Sequence, residues 1–201
     1  MVTAPNGVPA PGLRERKKSA TRAALSQAAL RLAVEHGWEK VRVEDIAAAA
    51  GVSPRTFNNY FPSKEAAVLA THAERAERIV EALRARPEQE PLWDALTHAF
   101  LDSFRADGPD PSALQRIRLA MDHTQLAAAQ LRFEAEAAAT LGAEIARRTG
   151  TDAERDLYPR LAATLAITTS RLAFEHWVAS ASATPALEAV QQALDRVRVM
   201  P

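Results

Sequence analysis

The chain contains no cysteine, which removes disulfides, thiolate catalysis and cysteine-based zinc sites together and suits a reducing compartment. It has no uninterrupted apolar run of the roughly 18 residues that a membrane-spanning helix needs. Its N-terminus, MVTAPNGVPAPGL, lacks the charged-then-apolar order of a secretion signal. A cytoplasmic protein without membrane contact is the expectation. Aromatic residues make up only 5% of the chain, and neither an alternating strand pattern nor an internal repeat is present, so the fold expected is all-α. The signatures of common enzyme sites are missing too: there is no Gly-x-Ser-x-Gly elbow, no phosphate-cradling glycine loop and no His-Glu-x-x-His. The histidines, at 36, 72, 98, 123 and 176, lack metal-ligand spacing. No enzymatic activity, metal or cofactor is expected.

What the chain does have is concentrated between Arg42 and Lys64. Val43, Ile46, Ala47 and Ala50 fall on one helical face, and Gly51 follows the last of them. A glycine there can adopt the left-handed conformation that a sharp helix-to-helix turn requires. Ser53 can cap a second helix, and Pro54 at its first position sacrifices no hydrogen bond. Phe57 and Phe61 anchor that helix. Two short helices joined by a glycine turn, with alanines where they approach, form a DNA-binding helix-turn-helix.

The outer face of the second helix carries Arg55, Thr56, Asn58, Asn59 and Tyr60. Arginine can fork onto guanine, asparagine onto adenine, and threonine can touch a thymine methyl. Ser63 can cap a further helix beginning at Lys64, placed where a phosphate would lie. Arg42 and Val43, which open the pair, and Ser53 complete the candidate DNA-binding set.

Charge is distributed to match. Net formal charge is zero, yet from Leu13 to Glu65 ten Lys/Arg stand against six Asp/Glu, and the remainder carries the compensating negative charge. A basic head on an acidic body would orient the chain on a duplex. Residues 1–18 read as a disordered arm, uncharged and proline-bearing at first and basic at its end. Arg16, Lys17, Lys18 and Arg22 are its candidate contacts to phosphates or the minor groove. The near-zero total charge leaves an alternative open, a helical partner-binding protein that has lost DNA binding.

Beyond the head, a first helix is expected from about Ala20 to His36, stopped by Gly37, with Trp38 in the core. A long helix from Lys64 to about Arg84 leads out of the head. Further helices are expected from Leu92 to Phe104, from Leu114 to Met121, from Gln125 to about Thr149, through the apolar run Leu161 to Val178, and after Thr184-Pro185. The order Thr151-x-x-Glu154 reads as a capping box for the run containing Pro159. The total is nine or ten helices.

The residues Asp45-Ile46-Ala47, Ala50-Gly51-Val52-Ser53, Thr56-Phe57, Tyr60-Phe61 and Ser63-Lys64-Glu65 closely resemble the TetR family of bacterial transcriptional regulators. The resemblance spans about Ser19 to Ile79. It implies a three-helix DNA-binding domain over 19–79 followed by a helical ligand-binding and dimerisation domain over 80–201. Two positions depart from the family pattern: Arg42 stands where Ser or Thr usually caps the first helix of the pair, and Asn58 where tyrosine is common.

The function implied is a ligand-responsive regulator, most simply a repressor that binds a palindromic double-stranded operator as a homodimer and is released by a small apolar effector. The dimer seam would involve Leu161 to Ala181 and Pro185 to Val199. The effector pocket would draw on Phe100, Phe104, Leu114, Ile117, Met121, Phe133 and Leu165, with Thr168, Thr169 and Arg171 as polar contacts. Arg116 to Leu119, Ile145 to Gly150 and Leu157 to Leu161 also resemble a subgroup that answers acyl-CoA-type ligands.

Overall fold

The computed structural model describes residues 12–107, 124–180 and 184–198. Among these, nine α-helices and one short 3-10 turn are present. Helices α1 (Leu13–His36), α2 (Val43–Ala49), α3 (Pro54–Tyr60) and α4 (Lys64–Val68) precede α5 (Ala70–Ala85) and α6 (Leu92–Asp107). The last three are α7 (Thr124–Thr149), α8 (Leu157–Ser180) and α9 (Ala186–Arg198), and the 3-10 turn covers Trp38–Lys40. Leu114, Ile117 and Met121 lie outside the described residues.

The chain divides into two compact units, one up to Ala70 and one from Thr71 onward. The family resemblance put the division near Ile79. Ile79 and Leu83 instead belong to the core of the second unit, which draws α5 into that unit. The single long helix expected from Lys64 is interrupted at Leu69, the C-cap of α4.

In the first unit, α1 packs on α2, α4 and the 3-10 turn, and α2 on α3. Leu25, Ala29, Trp38, Ile46, Phe57 and Phe61 form its buried interior. Gly37 takes φ 81° and ends α1. At its other end α1 begins at Leu13, not at Ala20. Residues 13–18, expected as part of a disordered arm, therefore lie in helix. Leu, Arg, Glu and Lys are good helix formers, and an existing helix propagates through them at little cost. Composition suggested a tail because the charge cluster has no apolar face of its own.

In the second unit, α7 packs on α8, α8 on α9, and α6 on both α8 and α9. Leu96, Ala99, Leu141, Ile145, Ala163, Ala166, Val190 and Leu194 are fully or nearly fully buried. Indole N–H groups fasten the edges: Trp93 Nε1 donates to the Leu194 carbonyl at 2.9 Å and Trp177 Nε1 to the Thr184 carbonyl at 2.7 Å. The proposed capping box does not start α8. Asp152 Oδ1 accepts from the Glu154 and Arg155 N–H groups in an isolated turn, and the helix begins only at Leu157. That start places Pro159 in the first turn, where its missing N–H breaks no bond.

The segment between α5 and α6 is held by ions. Arg86 meets Glu90 with two hydrogen bonds of 2.6 Å, and His98 Nδ1 lies 2.8 Å from the same carboxylate. The Glu90 carboxyl is pushed down to about 2, chiefly by the Arg86 hydrogen bonds and further by His98. A carboxyl held below its ordinary value of 4.5 stabilises the fold fully above that value and loses the contribution as pH falls toward 2. The urea midpoint should therefore drop less between pH 5 and pH 3 in Glu90→Gln than in the wild type. Equal drops would remove the carboxylate from the acid response.

Candidate functional site

The outward face of α3 is built by four local choices. Gly51 takes φ 70° in the turn after α2. Ser53 Oγ accepts from the Thr56 N–H at 3.1 Å, and Pro54 opens the helix. Phe57 is fully buried and Phe61 nearly so, their rings 5.8 Å apart. With that side of α3 committed to the core, Arg55, Asn58 and Asn59 are exposed. Tyr60 and Thr56 are half-buried, and the Thr56 hydroxyl lies 2.9 Å from Ser53 Oγ.

Arg42 is exposed at the N-cap of α2, and Val43 beside it is half-buried. An arginine has no acceptor to offer the helix end. The cap is supplied in reverse, by Asp45 Oδ2 accepting from the Arg42 N–H at 3.3 Å. Arg16, Lys17 and Lys18 are exposed on the first turns of α1.

Two candidate phosphate contacts also make bonds inside the unit that the sequence did not indicate. Lys64 Nζ donates to the Trp38 carbonyl at 3.1 Å and the Val41 carbonyl at 2.9 Å, and lies 4.3 Å from the Trp38 ring centroid. Two of its three protons are thus used inside the unit, tying α4 to the 3-10 turn. Arg22 Nη1 donates to the Tyr60 carbonyl at 3.4 Å, with its guanidinium 4.6 Å over the Phe61 ring. It secures the C-terminal end of α3 rather than belonging to a free arm. Both contacts span long sequence separations, which no local pattern encodes.

The second unit contains a partly open cavity of about 330 Å³, within the range of small-molecule sites. Its walls come from four helices. His72, Arg75, Ala76 and Ile79 contribute from α5, and Phe100 and Phe104 from α6. Gln130, Phe133, Glu134 and Ala137 contribute from α7. From α8 come Ile167, Ser170, Arg171, Phe174, Glu175 and Val178.

Of the residues proposed for the pocket, Phe100, Phe104 and Phe133 line this cavity, as does Arg171. Leu165, Thr168 and Thr169 do not line the cavity. Leu165 is 40% exposed, and the buried face of α8 runs instead through Ala162, Ala163, Ala166, Ser170 and Phe174. A helix apolar nearly all round gives periodicity no basis for choosing its inner face. Small residues mark that face here, since they allow α7 and α9 to approach. His72, Arg75, Gln130, Glu134, Ser170 and Glu175 were not anticipated. The i, i+3, i+4, i+7 series Gln130, Phe133, Glu134, Ala137 was the available signal.

Charge within the cavity is internally matched. Arg171 Nε lies 2.8 Å from Glu134 Oε1, and its Nη1 donates to Glu175 Oε1 at 2.8 Å. Burial works to lower the Arg171 pKa, but the hydrogen bond to Glu175 and the charge of both carboxylates outweigh it and leave it raised. Arg75 lies over the Phe104 ring at 4.5 Å. Among the described residues no cluster suited to a metal ion occurs, and no helix is long and apolar enough to cross a membrane.

The helix-turn-helix of the first unit and the cavity-bearing helical second unit each have counterparts among known proteins. Residues 25–71 match the family described as bacterial regulatory proteins, tetR family, and residues 90–199 match the MftR C-terminal domain. The HTH-type transcriptional regulator TcmR of Streptomyces glaucescens is 34% identical over 96% of this chain and 88% of its own length. The putative mycofactocin biosynthesis transcriptional regulator MftR of Mycobacterium tuberculosis is 30% identical over 90% of this chain and 95% of its own. A putative TetR-family regulator from Syntrophomonas wolfei shares the fold with TM-score 0.64 at 18% identity, covering 90% of this chain and 94% of that one. The fatty acid degradation regulator FadR from Bacillus halodurans does so with TM-score 0.55 at 22% identity, over 87% and 93% respectively. Both sequence domains and full-length relatives point one way: this chain is a ligand-responsive DNA-binding transcriptional regulator and belongs to the TetR family.

Proposed function

We propose that this regulator is a cytoplasmic repressor that binds a palindromic operator as a homodimer and is released when a small, largely apolar effector enters the cavity of the second unit. The observation that carries this reading is the position of α5. It follows the reader's last helix directly in the chain, and its His72, Arg75, Ala76 and Ile79 form one cavity wall. An effector that moves this wall acts on the segment leading to the DNA-binding head. Release requires only that the effector favour the non-operator state, and a coupling of about 1–3 kcal/mol changes operator affinity about 5- to 150-fold.

Support for the dimer comes from α8. Leu157, Leu161, Leu165 and Leu172 are 74%, 47%, 40% and 52% exposed, and Tyr158 is 53% exposed. An apolar stripe of this length on one helix is a surface that a second subunit would cover. A two-fold pair would set two copies of α3 about 34–36 Å apart, in successive major grooves. Acyl-CoA and other apolar molecules are the candidate effectors. The likeness to the fatty acid degradation regulator lies in the fold and does not decide among them.

Selection of duplexes from a random pool tests the reading. It should return an inverted repeat with half-sites about one helical turn apart. Arg55→Ala should relax preference at one base position in each half-site at a cost of about 1–3 kcal/mol, measured by competition gel shifts. An unstructured winning pool, or no retention on duplex DNA, would favour the partner-binding alternative.

A further inference from the structure

We infer that Arg55 and Asn58 form the central base-reading pair of α3, taking a guanine and an adenine about one or two base pairs apart in each half-site, with Asn59 left to the flank of the site. The inference rests on reading α3 as the DNA-contacting helix and adds which side chains face the base edges and which bases they select.

The exposure pattern of α3 fixes the direction of its outer face. Successive residues of a helix are turned by about 100°. Around the axis, the exposed residues therefore follow the order Pro54, Asn58, Arg55, Asn59, over an arc of about 140°. Thr56 and Tyr60, next beyond Asn59, are half-buried, and Phe57 and Phe61 complete the circle inside the core. The middle of the exposed arc falls between Asn58 and Arg55. Asn59 stands at one rim beside the half-buried pair, and Pro54, at the other rim, offers only apolar contact.

The two central side chains are uncommitted. Neither Arg55 nor Asn58 makes a side-chain hydrogen bond or ion pair among the described residues, and α3 carries no acidic residue to draw the guanidinium aside. Thr56 differs, because its hydroxyl lies 2.9 Å from Ser53 Oγ, the oxygen that caps the helix. The backbone beneath the pair is held from the other side by Phe57, by Phe61 and by the Arg22 bond to the Tyr60 carbonyl. The donors and acceptors are free while the frame that aims them is fixed, which reduces the ordering that binding requires.

Side-chain chemistry then selects the bases. Arginine forks onto O6 and N7 of guanine, and asparagine pairs with N6 and N7 of adenine. Three residues along a helix advance about 4.5 Å, against about 3.4 Å per base pair. For a helix lying along the major groove, the two readers thus reach base pairs that are neighbours or have one between them.

Duplex selection from a random pool with the full-length protein, followed by competition gel shifts on the selected sequence, tests the assignment. Arg55→Gln should turn the guanine preference into an adenine preference at the same position, since glutamine pairs with adenine as asparagine does, and leave the second position unchanged. Asn58→Ala should cut discrimination at the adenine position about 5- to 150-fold while keeping the guanine. Asn59→Ala should keep both. All three side chains face solvent, so the thermal midpoints of the DNA-free variants should match the wild type and separate lost reading from lost folding. Loss of the adenine position in Asn59→Ala instead of Asn58→Ala, or an unchanged consensus in Arg55→Gln, overturns the assignment, while an inverted repeat in the same selection still upholds the DNA-binding reading. Failure to retain any duplex overturns both.

Discussion

Arg148→Ala should lower the unfolding free energy by about 3 kcal/mol or more, although its side chain lies far from the reader in sequence and outside the cavity lining. Its guanidinium donates to three backbone carbonyls of the segment joining α5 to α6: Arg86 at 3.2 Å, Pro87, and Glu90 at 2.9 Å. Charge-assisted hydrogen bonds contribute about 1.5–3 kcal/mol each when removed, and partial hydration of the freed carbonyls limits the total. An ion network lies beside it in sequence. Glu144, only 4% exposed, is paired with Arg84 at 3.0 Å and Arg147 at 2.8 Å, which compensates a charge that could not remain buried alone. Arg148→Lys should recover only part of the loss, because an ammonium cannot spread its donors across three acceptors as a planar guanidinium does. Urea unfolding checks this, and a loss below about 0.5 kcal/mol, the usual scale of surface substitutions, would contradict the clamp.

Lys64→Ala should destabilise the DNA-binding unit by about 2–4 kcal/mol, combining two charge-assisted hydrogen bonds with a cation–π contact. Operator binding would fall with the folded fraction while the salt dependence of the remaining binding stays near that of the wild type. A phosphate contact behaves in the opposite way. Removing one should leave stability nearly unchanged and reduce the slope of log affinity against log salt by about 0.9. Arg16, Lys17 and Lys18, exposed on α1, are the side chains for which that second pattern is expected. Thermal denaturation of the DNA-free protein together with gel shifts over a salt series separates the two roles. A stable Lys64→Ala with a flattened salt slope would return Lys64 to the phosphates.

These two lysine roles show where sequence reasoning succeeds and where it stops. The turn at Gly51, the Ser53 cap, Pro54 and the Phe57/Phe61 anchor were legible because each acts within one or two helical turns, and the backbone conformation follows from the residue type. The end of α1 at Gly37 was legible for the same reason. The packing of Lys64 and Arg22 was not legible because their partners, the Trp38, Val41 and Tyr60 carbonyls, are tertiary neighbours. The inner face of α8 was hidden by excess apolarity: Leu161, Leu165 and Leu172 outweigh Ala163, Ala166 and Ser170 in any hydrophobic count, yet the smaller residues face inward. Charge density concealed the start of α1, where helix propensity prevailed over the composition of a tail.

One consequence follows from how α3 is held. Phe57, Phe61, Ser53 and the Arg22 bond to Tyr60 maintain the helix, whereas the side chains of Arg55, Asn58 and Asn59 make no hydrogen bond or ion pair among the described residues. The side chains proposed to read bases and the scaffold that holds them are separate sets. Drift at the three outward positions can therefore rewrite which target is recognised without eroding the domain, so descendants of this chain can acquire new regulons through single steps that remain folded.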